Sequence, residues 1–379
     1  MKNNDVLFNG LETYMIALLR YGVLDERPDT LMPSSQVEWD RMMDIASAQG
    51  ILAWVWDGIC KIPKEFQPPR QQSINWGLSA QEIWDRYAHQ KSVLENMLDI
   101  CRHNNIRLLL FKGIALSELY PKPESRPSGD IDIYLFEDYN RGDELFAQTN
   151  VTRTNKRTGF DYEGVHIENH RIFLNTYSKT QINAVQYLEE SLKDVSLSKD
   201  GYYFMSPMAN IVYQVMHFIA HIDDISSPFS LRFVVDFGMT LKKYHQIIDS
   251  KELKLLLVRL NILGIFCVIL GMVEKVMRMD FSQYHFQEVK SNNLYALSKI
   301  MLSRPQDSVP FTEKTFRERF IIYYSRYCSL RSLFKYLPVK NYAFITKSLK
   351  ELFSVSIRKC FNLPDNMSLA SMMIRMKGN

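Results

Sequence analysis

A chain of 379 residues with 46% hydrophobic and 23% charged residues has the composition of a folded globular protein with room for two or three domains. The net charge of +4 does not by itself imply nucleic acid, and the five cysteines (Cys60, Cys101, Cys267, Cys328 and Cys360) are too few and too scattered for a disulfide framework or a zinc ribbon, which fits a reducing cytoplasm. Glu12 and Arg20 interrupt the first apolar pattern, so no signal peptide is expected, and the longest apolar run, Leu255 to Val273, carries Arg259 and Asn261 and reads as one buried helix rather than a membrane span.

The first hundred residues read as helix. Val6, Leu7, Leu11, Met15, Leu18 and Leu19 recur at helical spacing. Breaks at Arg27-Pro28 to Ser35, at Ile62-Pro63 and at Pro68-Pro69 bracket a further helical region, Val37 to Cys60, expected to hold two helices. A long helix follows from about Ile74 to His103, with Leu78, Trp84, Tyr87, Leu94, Leu98 and Cys101 on its apolar side. Trp54, Trp56, Trp76 and Trp84 read as core residues.

The pattern changes at Asn104-Asn105. Ile106 to Phe111 has the length and apolar content of a buried strand, Ile114 to Tyr120 reads as a short helix, and Pro121 to Gly129 as a turn. Asp130 to Phe136 alternates as a strand, and Asp138 to Gln148 looks helical. Val151 to Arg157 and Phe160 to Leu174 are expected to pair as a hairpin turning at Thr158-Gly159. Helix returns at Ser206-Pro207, an N-cap followed by a first-turn proline, and runs in two or three segments to about Met279. Phe316 to Leu337 and Asn341 to Phe361 are basic, aromatic helical patterns. From Phe311 to Asn379 there are 13 Lys or Arg and 4 Asp or Glu, a surface suited to an anionic partner.

The expected architecture is therefore α+β. Residues 1–103 form an N-terminal helical region, 104–204 a small mixed-sheet core, 205–304 a helical domain and 305–379 a basic helical C-terminal region.

The chemistry concentrates in the core. Asp130 and Asp132 sit at i and i+2, so a strand points both to one face, while Ile131, Ile133 and Leu135 point into the interior. Two carboxylates so close repel one another, and a divalent cation relieves that cost. Lys112-Gly113 ends the preceding strand, and Gly113 lets a phosphate approach the backbone at a helix start. In Val165 to His170, the residues His166, Glu168 and His170 share one strand face, which makes Glu168 the candidate third carboxylate. Asp161 and Glu163 remain as alternatives, placed on the same hairpin strand at opposite parity and reachable only through a β-bulge. These parts together suggest metal-assisted chemistry on a nucleoside triphosphate.

Lys112-Gly113, Arg126, Gly129-Asp130-Ile131-Asp132 and Glu168-x-His170, in that order, resemble a bacterial family of uncharacterised nucleotidyltransferases within the DNA polymerase beta superfamily. Ala46 to Ile51, Trp54-Val55-Trp56, His217 and Leu231 to Asp236 extend the resemblance over roughly residues 40 to 240. It implies two divalent ions, Mg²⁺ with Mn²⁺ as the alternative. Asp130 and Asp132 would bridge both, and Glu168 would bind one and help activate an acceptor hydroxyl. A nucleoside monophosphate would pass from a nucleoside triphosphate, ATP by default, to that hydroxyl, with pyrophosphate leaving. Lys112, Gly113 and Arg126 would bind the triphosphate, Lys112 or Arg126 neutralising the charge that develops. The family pattern departs here in one respect: Lys112-Gly113-Ile114 carries no hydroxyl where Gly-Ser or Gly-Gly is usual.

Two other functions fit the same residues. One is a non-catalytic nucleotide-binding sensor or interaction module. The other is a protein that binds or modifies RNA or tRNA ends through Arg326, Arg331, Lys335, Tyr323, Tyr324 and Tyr327. His217 and His221, at i and i+4, read as satisfied interior histidines, and Asp236 as a cap or salt-bridge partner within the helical domain. There is no G-x-G-x-x-G, P-loop, G-x-S-x-G or H-E-x-x-H pattern, which excludes the dehydrogenase, ATPase, esterase and zincin classes those motifs mark.

Overall fold

The structure is a computed structural model that describes residues 7–174, 179–223 and 230–302. The basic patterns from Phe316 onward, with Arg326, Arg331, Lys335 and the three tyrosines beside them, lie outside the described residues. The N-terminal half carries α1 (Gly10–Leu24), α2 (Trp39–Ala48), α3 (Leu52–Lys61) and the 34-residue α4 (Arg70–His103). The core follows in the order β1 (Leu109–Leu110), α5 (Gly113–Ser117), β2 (Ile131–Tyr134), α6 (Tyr139–Phe146), β3 (Thr149–Arg153), β4 (Arg157–Tyr162) and β5 (Val165–His170). Then come α7 (Lys179–Glu190), β6 (Ser196–Leu197), β7 (Tyr203–Phe204), α8 (Pro207–Asp223), α9 (Leu231–Tyr244), α10 (Ser250–Arg259), α11 (Leu263–Met277) and α12 (Ser291–Leu302).

The fold is α+β, with helices flanking a seven-stranded mixed sheet of order β3-β4-β5-β2-β1-β7-β6. β2 lies between β1, to which it is antiparallel, and β5, to which it is parallel, and Asp132 sits opposite Glu168 in the β2–β5 register. Ile131, Ile133, Phe160 and Ile167 bury one sheet face against Val93, Leu94, Met97 and Leu98 of α4. On the other face Leu109, Phe111 and Phe173 join a core that runs without interruption through α1, α3, α8, α9 and α11. The site residues therefore stand where the sheet meets the helical core.

Several expectations change in detail. β1 pairs over Leu109 and Leu110 only, because Lys112 turns to φ +59° and ends the strand. The hairpin expected at Thr158-Gly159 is two hairpins. Both residues lie within β4, and the turns are Thr154–Lys156, where the Thr154 hydroxyl accepts the amides of Lys156 and Arg157, and Glu163-Gly164, both at positive φ. Gly159 resembles a turn signal but serves a close crossing, since a Cβ there would meet the Thr152 hydroxyl at 2.8 Å. This phasing also corrects the parity of the alternative acids. Asp161 pairs with His166 on β5 and shares the face of Glu168, and Glu163 is in the turn.

The run expected as one buried helix is α10 and α11, broken where Asn261 takes φ +57°, and Leu255 and Val258 are exposed. On α4, Leu78 faces solvent and Trp76, two residues earlier, takes the buried side. The Ser206-Pro207 cap holds, with Ala209 N–H donating to the Ser206 hydroxyl at 3.4 Å. No helix among the described residues is long and apolar enough to cross a membrane.

Candidate active site

β2 alternates as its sequence requires. Ile131 and Ile133 enter the core, and Asp132 emerges on the face it shares with Glu168 and His170. Asp132 is 2% exposed. Its Oδ1 accepts two hydrogen bonds, from Lys112 Nζ at 2.8 Å and from His170 Nε2 at 2.7 Å. Burial pushes its carboxyl up, but the Lys112 ammonium and the His170 hydrogen bond outweigh burial and hold it well below the usual carboxylate range.

His170 Nε2 also lies 3.2 Å from Glu168 Oε2, and the other oxygen of Glu168 meets the Arg157 guanidinium at 2.8 Å. An imidazole nitrogen between two carboxylates carries its proton there, which leaves His170 Nδ1 buried without a partner among the described residues. One ligand atom each from Asp132, Glu168 and His170 lies within 4.8 Å of the others.

Asp130 differs. Its carboxylate has no hydrogen bond or ion pair among the described residues. Burial raises its carboxyl, and Asp132 and Glu168 raise it further. A partnerless carboxylate beside an ionised one is an acceptor-rich pair, and hard divalent cations take carboxylate oxygens. Asp130 is not one of the close-set trio of Asp132, Glu168 and His170, but it lines the same cleft as Asp132, so the carboxylates there suit such an ion in chemistry.

The Lys112-Gly113 turn is tightly built. Lys112 sits at φ +59°, ψ −159°, a region that costs a residue with a side chain on the order of 1–3 kcal/mol. A Cβ on Gly113 would lie 2.7 Å from the Ser128 hydroxyl and 3.1 Å from the Asp130 carbonyl. Only glycine lets these groups approach. Ser128 thereby brings to the turn the hydroxyl that Lys112-Gly113-Ile114 lacks, and it donates to the Asp130 carbonyl at 2.9 Å. Sequence reasoning missed it because it arrives from the far side of the Pro-rich turn. α5 itself is only five residues long.

Arg126 is ion-paired, and it also lines the cleft described below. Its Nε donates to Asp236 Oδ1 at 2.9 Å and its NH2 to Oδ2 at 2.8 Å, and Tyr120 O–H donates to the same carboxylate at 2.7 Å. The pair is buried and ties the core to α9. Asp236 is a salt-bridge partner, but the bridge is not within the helical domain as expected: it crosses to Arg126 in the core.

A cleft of about 770 Å³ opens beside these groups. One wall presents Lys112, Gly113, Ser128, Asp130 and Asp132, and the other Tyr213, His217, His221, Arg232 and Phe233. His217 and His221 therefore line the cleft while packing into the helical core. Their Nε2 atoms are 3.2 Å apart, and both rings pack on Phe233. Burial, then Lys112 and His221, push the His217 imidazole well below its ordinary value, so it is neutral at pH 7. The signal was present in the sequence: Tyr213, His217 and His221 follow one another at i+4 along one helix stripe. Glu168 does not line the cleft. It stands next to Asp132, held by Arg157 and His170. Of the alternative acids, Asp161 pairs with His166 at 2.8 Å and Glu163 accepts from Asn96 at 2.6 Å, both exposed contacts, and neither acid lines the cleft although His166 does.

Lys156, in the β3–β4 turn, is a further cation near the cluster, and it makes no ion pair among the described residues. Burial, with Lys112 and Arg157 close by, pulls its ammonium down to about 8. A half-buried lysine whose folded value is depressed opposes folding while it is charged, and the penalty fades as the pH rises from that value toward the unfolded one, about 10.4. Lys156→Met is therefore expected to raise the thermal midpoint at pH 7 and to lose that advantage by about pH 10. Melts across that range check it.

A family model described as an uncharacterised nucleotidyltransferase matches residues 35–278, a span that includes both walls of the cleft. No curated protein and no solved structure matches the chain.

Proposed function

The chain belongs to the uncharacterised nucleotidyltransferase family, and from that premise we propose that its cleft transfers a nucleoside monophosphate from a nucleoside triphosphate to an acceptor hydroxyl, releasing pyrophosphate. The observation that carries this reading is the partnerless Asp130 carboxylate beside the ionised Asp132, in a cleft that Lys112 also lines. Asp130 and Asp132 would hold Mg²⁺, or Mn²⁺ as the alternative, with Glu168 as the third acid of the cluster. The ion would polarise the α-phosphoryl group and stabilise the oxygens that attack and leave.

The chain's own groups supply the rest. His170 orients Asp132 and, with Lys112, keeps it ionised. Lys112 carries positive charge into the same cleft, where it offsets charge developing on the phosphate. Gly113 and Ser128 form the turn over which the triphosphate lies. Arg126 contributes by fixing that turn to α9, its guanidinium being engaged by Asp236.

The test is direct. The full chain is incubated with Mg²⁺ and α-labelled ATP, then with the other nucleoside triphosphates. Pyrophosphate release is followed together with label transfer to water, to the chain or to added RNA. Release that depends on Mg²⁺ and stops on chelation is expected. Nucleotide bound without any release would instead support the sensor reading, and transfer only to RNA would identify that polymer as the acceptor.

Glu168→Gln is expected to weaken both metal affinity and turnover by about 10–100-fold, the usual effect of altering a group that orients or neighbours a metal ligand. Titration calorimetry with Mn²⁺ alongside the release assay checks it, and unchanged values for both would remove Glu168 from the site.

A further inference from the structure

We infer that Lys112 is a built-in cation occupying the place of one of the two divalent ions that the motif pattern leads one to expect, so that this cleft takes a single divalent ion. The inference rests on the nucleotidyl-transfer reading above and narrows its metal requirement.

The geometry is specific. Lys112 Nζ lies 2.8 Å from Asp132 Oδ1, with its side chain 16% exposed. It is enclosed by the rings of Phe111, 5.4 Å from the ammonium, and Tyr213, 5.8 Å from it. An ammonium enclosed by two π faces and a carboxylate is well held. The backbone is equally committed: Lys112 keeps a positive φ of 59° and the short turn to Gly113. Glycine would adopt that backbone at less cost, so the side chain is what the position retains.

Charge points the same way. Lys112 pairs with Asp132 and Arg157 with Glu168, each at 2.8 Å, and Lys156 lies close by, so the chain's own cations already offset much of the carboxylate charge before any ion enters. A second divalent ion would add positive charge to a largely buried cluster, where like charges repel strongly. The oxygens available agree as well. Asp132 Oδ1 is spent on Lys112 and His170, whereas Asp132 Oδ2 and both oxygens of Asp130 carry no hydrogen bond among the described residues.

The experiment counts ions without relying on turnover. The full chain is titrated with Mn²⁺ in the absence of nucleotide, and free Mn²⁺ is read by electron paramagnetic resonance. One ion per chain is expected in the wild type, none in Asp130→Asn, and two in Lys112→Met, where Asp132 Oδ1 loses the ammonium and keeps only the His170 hydrogen bond. Lys112→Arg keeps the charge and is expected to stay at one, which guards against a Met variant that folds poorly. Two ions in the wild type, or one in a folded Lys112→Met, would overturn the inference while leaving nucleotidyl transfer intact. No ion in the wild type would overturn the metal-dependent reading along with it.

Discussion

Asp130→Asn is expected to abolish Mg²⁺-dependent pyrophosphate release, by about 10³-fold or more, while the protein stays fully folded. The rate loss follows from removing a ligand to an ion that supplies several kcal/mol of charge stabilisation, and about 4 kcal/mol corresponds to 10³ in rate. Preservation of the fold follows from the surroundings of Asp130. Its carboxylate has no partner to abandon. Its folded value is raised by burial and by Asp132 and Glu168, so at neutral pH its charge opposes folding rather than supporting it. The thermal midpoint of Asp130→Asn at pH 7 should therefore equal or exceed that of the wild type.

Asp132→Asn should behave differently. It would also stop turnover, but it leaves the buried Lys112 ammonium without its counter-charge and should lower the midpoint. Release assays and melts on the two variants separate these effects. Full activity in folded Asp130→Asn would refute the site.

Asp236→Ala is expected to destabilise the protein by about 3–5 kcal/mol, because it strands the Arg126 guanidinium, 5% exposed, without its bidentate partner. Tyr120 loses its hydrogen-bond acceptor in the same step. Chemical denaturation measures the loss. Replacing both partners, as Arg126→Met with Asp236→Leu, should recover most of it, since an apolar pair of similar volume avoids the uncompensated charge. The same double variant tests what Arg126 does. If it is a tie between the core and α9, the refolded variant retains nucleotide affinity. If its charge reaches the triphosphate, affinity falls even though stability returns.

The acidic pair was legible in the sequence because strand alternation is a local property: Asp130, Ile131, Asp132 and Ile133 declare their faces within four residues. Glu168 was legible for the same reason, and the parallel register of β2 and β5 sets it opposite Asp132. Sequence could not separate Asp161 and Glu163 from Glu168 correctly, since their phase depends on a turn at Glu163-Gly164 that Gly159 imitated. The partners that decide each carboxylate's state were less visible. Lys112, His170, Arg157 and Ser128 lie 20, 38, 25 and 4 residues from Asp132 along the chain, and only the turn and sheet pairing bring their charges together. The engagement of Arg126 by Asp236 spans 110 residues and cannot be read from a motif. The second wall of the cleft was not legible because a histidine stripe on an apolar helix resembles a core stripe until the opposing strand is known.

The most direct measurement is a crystal structure of the full chain grown with Mg²⁺ and a non-hydrolysable nucleoside triphosphate. The account predicts one Mg²⁺ held by Asp130 and Asp132, the α-phosphate beside it, the polyphosphate over Gly113 and Ser128, and Lys112 still on Asp132. A triphosphate bound away from this cleft, or a metal held without either aspartate, would contradict it.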